Sequence, residues 1–195
     1  MSSDLGLFPG SRPALRSRIP TRLLTWAATL IALSVVLTRV ASVRIPVGGV
    51  EAVRIGFGAL PILMAGIWGG PVFGFLVGAV ADLVGYGINP MGPYVPLITL
   101  SSGMLGLIPG LVLRLFPGKE INFGRIAAAV AAAEVLVGMV LTPWFLHLAF
   151  LIPYAVLIPP RLVSKPLEVV LFSLIIHLVT VPLARRGTLP AAAGR

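Results

Sequence analysis

The chain has 195 residues, 57% of them hydrophobic and 11% charged, with a mean hydropathy of +1.03; soluble domains carry about 25% charged residues, so this is an integral membrane protein. Its apolar runs are long and lack the alternation of strands, which points to helical spans rather than a barrel. The formal charge of +9 fits basic cytoplasmic loops against an anionic lipid bilayer better than nucleic acid, and the absence of cysteine removes disulfides, thiolate metal sites and cysteine nucleophiles.

Residues 1–22 form a basic tail with Arg12, Arg16, Arg18 and Arg22 among Pro, Gly and Ser. The tail and the apolar run behind it resemble a signal peptide, but a chain that needs the membrane throughout is expected to keep this segment as an anchor. The membrane domain is expected over 23–186, with 187–195 as a short second tail. The first span runs from about Leu23 to Val40 and carries Ala28-x-x-x-Ala32, a flat strip on which another helix can pack closely. Packing within the chain and packing on a partner are equally compatible with that spacing.

Arg39 to Arg54 follows, with Arg44 and Arg54 bracketing Pro46 and Gly48-Gly49. Ile55 to Ala81 then holds no charge and could be one long span or two short ones broken at Gly69-Gly70-Pro71. Charge decides. Two spans put Arg12, Arg16, Arg18, Arg22, Arg114, Lys119, Arg125, Arg185, Arg186 and Arg195 on the cytoplasmic side and only Arg39, Arg44, Arg54, Arg161 and Lys165 outside. One span reverses the majority. The positive-inside rule therefore predicts an all-α protein of six transmembrane helices with both termini cytoplasmic.

Gly70, Gly74 and Gly78 give the third span a repeated close-packing strip. Asp82 stands at the end of that apolar run, before a loop in which Asn89-Pro90 and Gly92-Pro93 are turn signals flanked by Tyr86 and Tyr94. The fourth span, about Pro96 to Leu115, opens with Thr99, Ser101 and Ser102, whose hydroxyls can face a site or, more commonly, bond their own helix backbone. The fifth, about Ile126 to Trp144, is slim and alanine-rich with Glu134 near its middle. His147 to Ile158 is expected to cross the outer surface, and the sixth span to begin after Pro159-Pro160 with Arg161 in its first turn. Trp26 and Trp68 are expected at the inner interface and Trp144 at the outer.

Five outer cations are unusual. Arg39 lies about 24 Å along the first helix from Leu23, near the hydrocarbon boundary. Against Glu51, Asp82 and Glu168 the five leave a surplus of two, suited to an anionic solute held by bidentate bonds, with lipid snorkelling as the alternative for Arg39. For Arg161 a helix N-terminus adds favourable N–H groups. Glu134, Asp82 and Glu168 are expected to pair with Arg39, Lys165 or a hydroxyl rather than carry a coupling ion. His147 and His177 are too far apart in sequence to suggest a metal pair. No phosphate-loop or zinc-protease motif occurs, so no catalytic residue, metal or cofactor is expected and any ATP hydrolysis belongs elsewhere.

Gly48-Gly-Val-Glu-Ala-Val-Arg-Ile-Gly-Phe-Gly58, Ala81-Asp-Leu-Val-Gly-Tyr-Gly-Ile-Asn-Pro-Met-Gly-Pro-Tyr94, Thr142-Pro-Trp144 and Pro159-Pro-Arg-Leu162 together resemble the folate-specific substrate-binding (S) component of energy-coupling factor (ECF) transporters, over about residues 23–184. The resemblance implies a six-helix subunit in a prokaryotic plasma membrane. It captures a vitamin outside and topples against a coupling transmembrane subunit served by two ATPases. It also implies that Ala28 and Ala32 contact the coupling subunit and that the pocket lies in the outer halves of the later helices, capped by loops. Chemically, folate carboxylates suit Arg39, Arg44, Arg54 and Arg161, its flat rings suit Tyr86, Tyr94 or Trp144, and Asn89 suits a pterin edge in the loop that turns at Gly92. The alternatives are an S component for another anionic vitamin or heterocycle, a stand-alone ion-coupled transporter, which would want matched broken-helix halves, and a membrane enzyme, which would want clustered acids or histidines.

Overall fold

The structure is a computed structural model that describes residues 21–40, 42–47, 50–88, 90, 93–116 and 122–189; for 42–47 and 50–55 it describes the backbone only. The helices are α1 (Thr21–Val40), α2 (Ala59–Gly69), α3 (Pro71–Ile88), α4 (Pro96–Leu115), α5 (Phe123–Ala133), α6 (Thr142–Phe150) and α7 (Tyr154–Arg185). A π-helical segment, Glu134–Leu141, joins α5 to α6 in one unbroken rod. Among the described residues five rods are therefore long and apolar enough to cross a membrane.

The break expected at Gly69-Gly70-Pro71 is where α2 ends and α3 begins, with Gly70 at φ 86°, a conformation glycine adopts without strain. The second span is not full length. At 11 residues α2 rises about 16 Å, half of the hydrocarbon core. It does not need to reach further, because every residue from Leu60 to Trp68 is buried among the other helices. Trp68 accordingly corrects the interfacial expectation. It is a core residue whose Nε1 donates to Thr180 Oγ1 at 2.9 Å, and its ring forms a T-shaped pair with Trp26 at 5.4 Å.

Ahead of α2 lies a two-stranded antiparallel hairpin, β1 (Ser42–Val47) with β2 (Val50–Gly56), in a stretch whose sequence offers only turn signals. Arg44 and Arg54 are register partners in it, and a bulge follows Ile45, where Pro46 has no N–H to donate to the ladder.

α2, α3 and α4 are drawn together by glycine. A Cβ on Gly74 would strike the Gly106 carbonyl and Gly66, one on Gly106 the Gly74 carbonyl, and one on Gly78 the Ser102 carbonyl. These are backbone-to-backbone contacts, so the strip of small residues serves this chain's own packing. Ala28 and Ala32 differ. Both are exposed on the side of α1 that carries Leu24 and Val36, away from the core built by Leu63, Ile126, Val130, Phe172 and Ile176.

Arg22 Nη2 donates to the carbonyls of Gly187, at 3.2 Å, and Thr188, at 2.5 Å, so the start of α1 and the end of α7 lie on one side of the bundle. The hairpin lies at the opposite end of α1.

Candidate ligand-binding site

On the hairpin side the helices part around a cavity of about 910 Å³. α1 supplies Ser34 and Arg39, α3 Asp82 and Tyr86, the following loop Tyr94, α4 Ser102, the π-helical segment Glu134 and Gly138, and α7 Arg161, Lys165 and Glu168. Four of the sequence candidates (Arg39, Tyr86, Tyr94 and Arg161) therefore share one chamber.

Asp82 explains how the loop before α4 is held. It lies within α3, which continues to Ile88, so the helix end is later than the charge suggests. Thr99 Oγ1 donates to Asp82 Oδ2 at 2.6 Å and Ser102 Oγ to Oδ1 at 3.4 Å. With the Thr99 proton committed, the 3.0 Å contact between Thr99 and Tyr94 is a bond donated by the tyrosine hydroxyl. This relay sets the Tyr94 ring 5.2 Å from Tyr86. Thr99 and Ser102 thus bond to the acid across from them, whereas Ser101 bonds back to Leu97 of its own helix. Arg39 Nη2 donates to the Gly85 carbonyl at 2.7 Å and ties the end of α1 to α3.

The opposite wall is ionic. Lys165 Nζ donates to Glu134 Oε2 at 2.8 Å and to Glu168 Oε2 at 2.6 Å, with both carboxylates almost wholly buried. The sequence kept Lys165 as a partner for these acids, and the Lys165-x-x-Glu168 spacing signals one pair. The second pair spans from 134 to 165 and has no local signal. Gly138 makes room for it, since a Cβ there would fall 2.8 Å from Lys165 Cε and 3.2 Å from Glu134 Oε2. Arg161 Nη1 donates to the Gly138 carbonyl at 2.6 Å. Carbonyls released from the α pattern by a π-helical register are available for such bonds, and these segments recur at functional sites.

Three expectations need correction. Arg161 is not at a helix N-terminus. α7 begins at Tyr154 behind the extended Pro153, and Pro159 and Pro160 lie inside it, their fixed φ compatible with a helix at the cost of hydrogen bonds back to its first turn. Its guanidinium, about two turns in, has no helix dipole beside it. His147 to Ile158 is correspondingly not a long crossing: α6 runs to Phe150 and only residues 151–153 turn, held by His147 Nδ1, which donates to the Ile152 carbonyl at 2.9 Å. Trp144 is 53% exposed, stacks on Phe145 at 5.3 Å, and is not part of the cavity wall.

Among the described residues the cavity balances Arg39, Arg161 and Lys165 against Asp82, Glu134 and Glu168. Glu134 thus takes up one of the two surplus cations read from the sequence, and the rest of the count falls to Arg44, Glu51 and Arg54, whose side chains lie outside the described residues, as do Asn89 and Gly92. No group of acids and histidines able to hold a metal occurs among the described residues.

A family model described as "ECF-type riboflavin transporter, S component" matches residues 18–185. The chain is 32% identical over 152 residues to the folate transporter FolT of Clostridium novyi (strain NT), covering 78% of this chain and 84% of that protein. It superposes on the crystal structure of a FolT bound with folic acid with a TM-score of 0.61 and 28% identity, over 82% of this chain and 89% of that one. A structure of the S component of a bacterial ECF transporter aligns with a TM-score of 0.61 at 20% identity, over 85% and 96% of the two chains, and shares the fold.

Proposed function

Because this chain belongs to the family of ECF-type transporter S components, we propose that it is the membrane subunit that captures folate and passes it inward. The observation that carries the reading is the polarity of the cavity. On one wall stand Arg39 and the Tyr86–Tyr94 pair, with the hairpin strands that carry Arg44 and Arg54 following directly after α1, and on the other stands the ionic set of Glu134, Lys165 and Glu168. Folate has the same polarity, with two carboxylates at one end, a benzoyl ring between, and a flat heterocycle with hydrogen-bonding edges at the other. The carboxylates go to the arginines, where a planar fork can take two oxygens at once. The rings stack on the tyrosines. Arg161 faces the middle of the ligand with the donors that Gly138 does not use.

The folate named for two relatives supports this choice, and the cavity of about 910 Å³ is of the size that drug-sized ligands fill. The protein sits in a prokaryotic plasma membrane with both termini in the cytoplasm, as its charge asymmetry favours. It works with a coupling transmembrane subunit and two ATPases, and exposed Ala28 and Ala32 form the flat strip of α1 on which the coupling subunit packs. Mass spectrometry of small molecules released from the purified, denatured protein tests the ligand. A folate is expected at close to one per chain; release of a flavin in its place would overturn the assignment.

A further inference from the structure

Glu134 is the place where the cavity wall is incomplete. Its residue is 1% exposed, it lines the cavity, and its Oε1 is buried without a hydrogen-bond partner among the described residues. A buried carboxylate oxygen left bare is costly, so such an atom calls for a donor that arrives with the ligand. Its other oxygen, Oε2, accepts from Lys165, which has given two of its three N–H donors to Glu134 and Glu168 and keeps one. The wall thus presents, in order, a free acceptor (Oε1), a partly used acceptor (Oε2) and a spare donor (Lys165 Nζ). Gly138, with no Cβ, leaves the space that the Lys165 stem and Glu134 Oε2 occupy.

We propose that Glu134, with Lys165 beside it, is the specificity-determining pair that reads the 2-amino-4-oxopyrimidine edge of the ligand. That edge runs amino N–H, ring N–H, carbonyl oxygen, which is donor, donor, acceptor and the complement of the wall. A 2,4-dioxopyrimidine edge, the kind a flavin carries, runs acceptor, donor, acceptor and sets a carbonyl oxygen against Oε1. The wall therefore distinguishes a folate-type ring from a flavin-type ring by repulsion as well as attraction. This inference rests on the folate reading above and adds the residues that choose the ring.

The test compares folic acid with its analogue bearing oxygen in place of the 2-amino group, titrated into the purified full-length protein and into Glu134→Gln. The amide keeps the shape, Lys165 keeps Glu168, and the new NH₂ can donate to a 2-oxo group. Wild type is expected to prefer folic acid by about tenfold or more. In Glu134→Gln the preference is expected to fall to unity or invert. A variant that is merely destabilised loses both ligands alike, so an unchanged ratio overturns the proposal, as does equal binding of the two by wild type. Wild type that binds neither compound removes the folate reading itself, and this inference with it.

Discussion

The two sides of the bundle are built on opposite principles. Where α2, α3 and α4 meet, glycines let backbone touch backbone, with carbonyls of Gly74, Ser102 and Gly106 lying where a methyl group would have to go. Where the π-helical segment meets α7, the contact is made by long charged side chains, an interior lysine shared by two buried acids, and a helix carrying Pro159, Pro160 and Pro166. The first side has almost no freedom to rearrange, because close-packed backbones tolerate no added volume. The second has side-chain bonds that can be traded for bonds to a ligand. The cavity opens against the second side and uses the first as its frame.

That contrast can be broken most sharply at Lys165. Lys165→Met leaves Glu134 and Glu168 buried without the lysine that both of them bond, a change expected to cost about 3–5 kcal/mol of folding stability. Thermal unfolding in detergent should show a large drop in midpoint, and ligand binding should be lost with it. A variant as stable as wild type would mean that the ionic wall does not hold α7 to its neighbours.

A smaller effect is expected on the glycine side. Gly106→Ala forces its methyl onto the Gly74 carbonyl, an overpacking that costs about 1–3 kcal/mol. Here the comparison predicts a split readout: the unfolding midpoint falls, while the folded protein keeps its affinity and its choice of ligand. Altered selectivity in Gly106→Ala would erase the distinction between frame and reading surface.

The same division marks what could be read from the sequence. Spans and the break at Gly69-Gly70-Pro71 are legible because apolar length, charge sidedness and glycine–proline punctuation are local signals, and α4 begins and ends where the sequence places it. Arg39, Tyr86, Tyr94 and Arg161 could be nominated as site residues because polar side chains at the end of a span need a reason. The hairpin was not legible, since Pro46 and the neighbouring arginines obscure a strand that only its partner makes plausible. The start of α7 is not legible, because paired prolines usually mark a helix start and here Pro153 caps the helix six residues before Pro159. Trp144 is a candidate for its ring and for its place in Thr142-Pro-Trp144, but which side of a helix faces the cavity depends on neighbours that no local pattern names. The joining of Glu134 to Lys165 is likewise tertiary: it needs a π-helical segment to turn one helix toward another.

The most direct measurement is an isothermal titration of the purified, ligand-free protein with folic acid and, separately, with riboflavin. One folic acid bound per chain with submicromolar affinity, on the order of −8 kcal/mol or better, and no heat from riboflavin is the predicted result. Saturable riboflavin binding with folic acid inert would contradict the account at its centre.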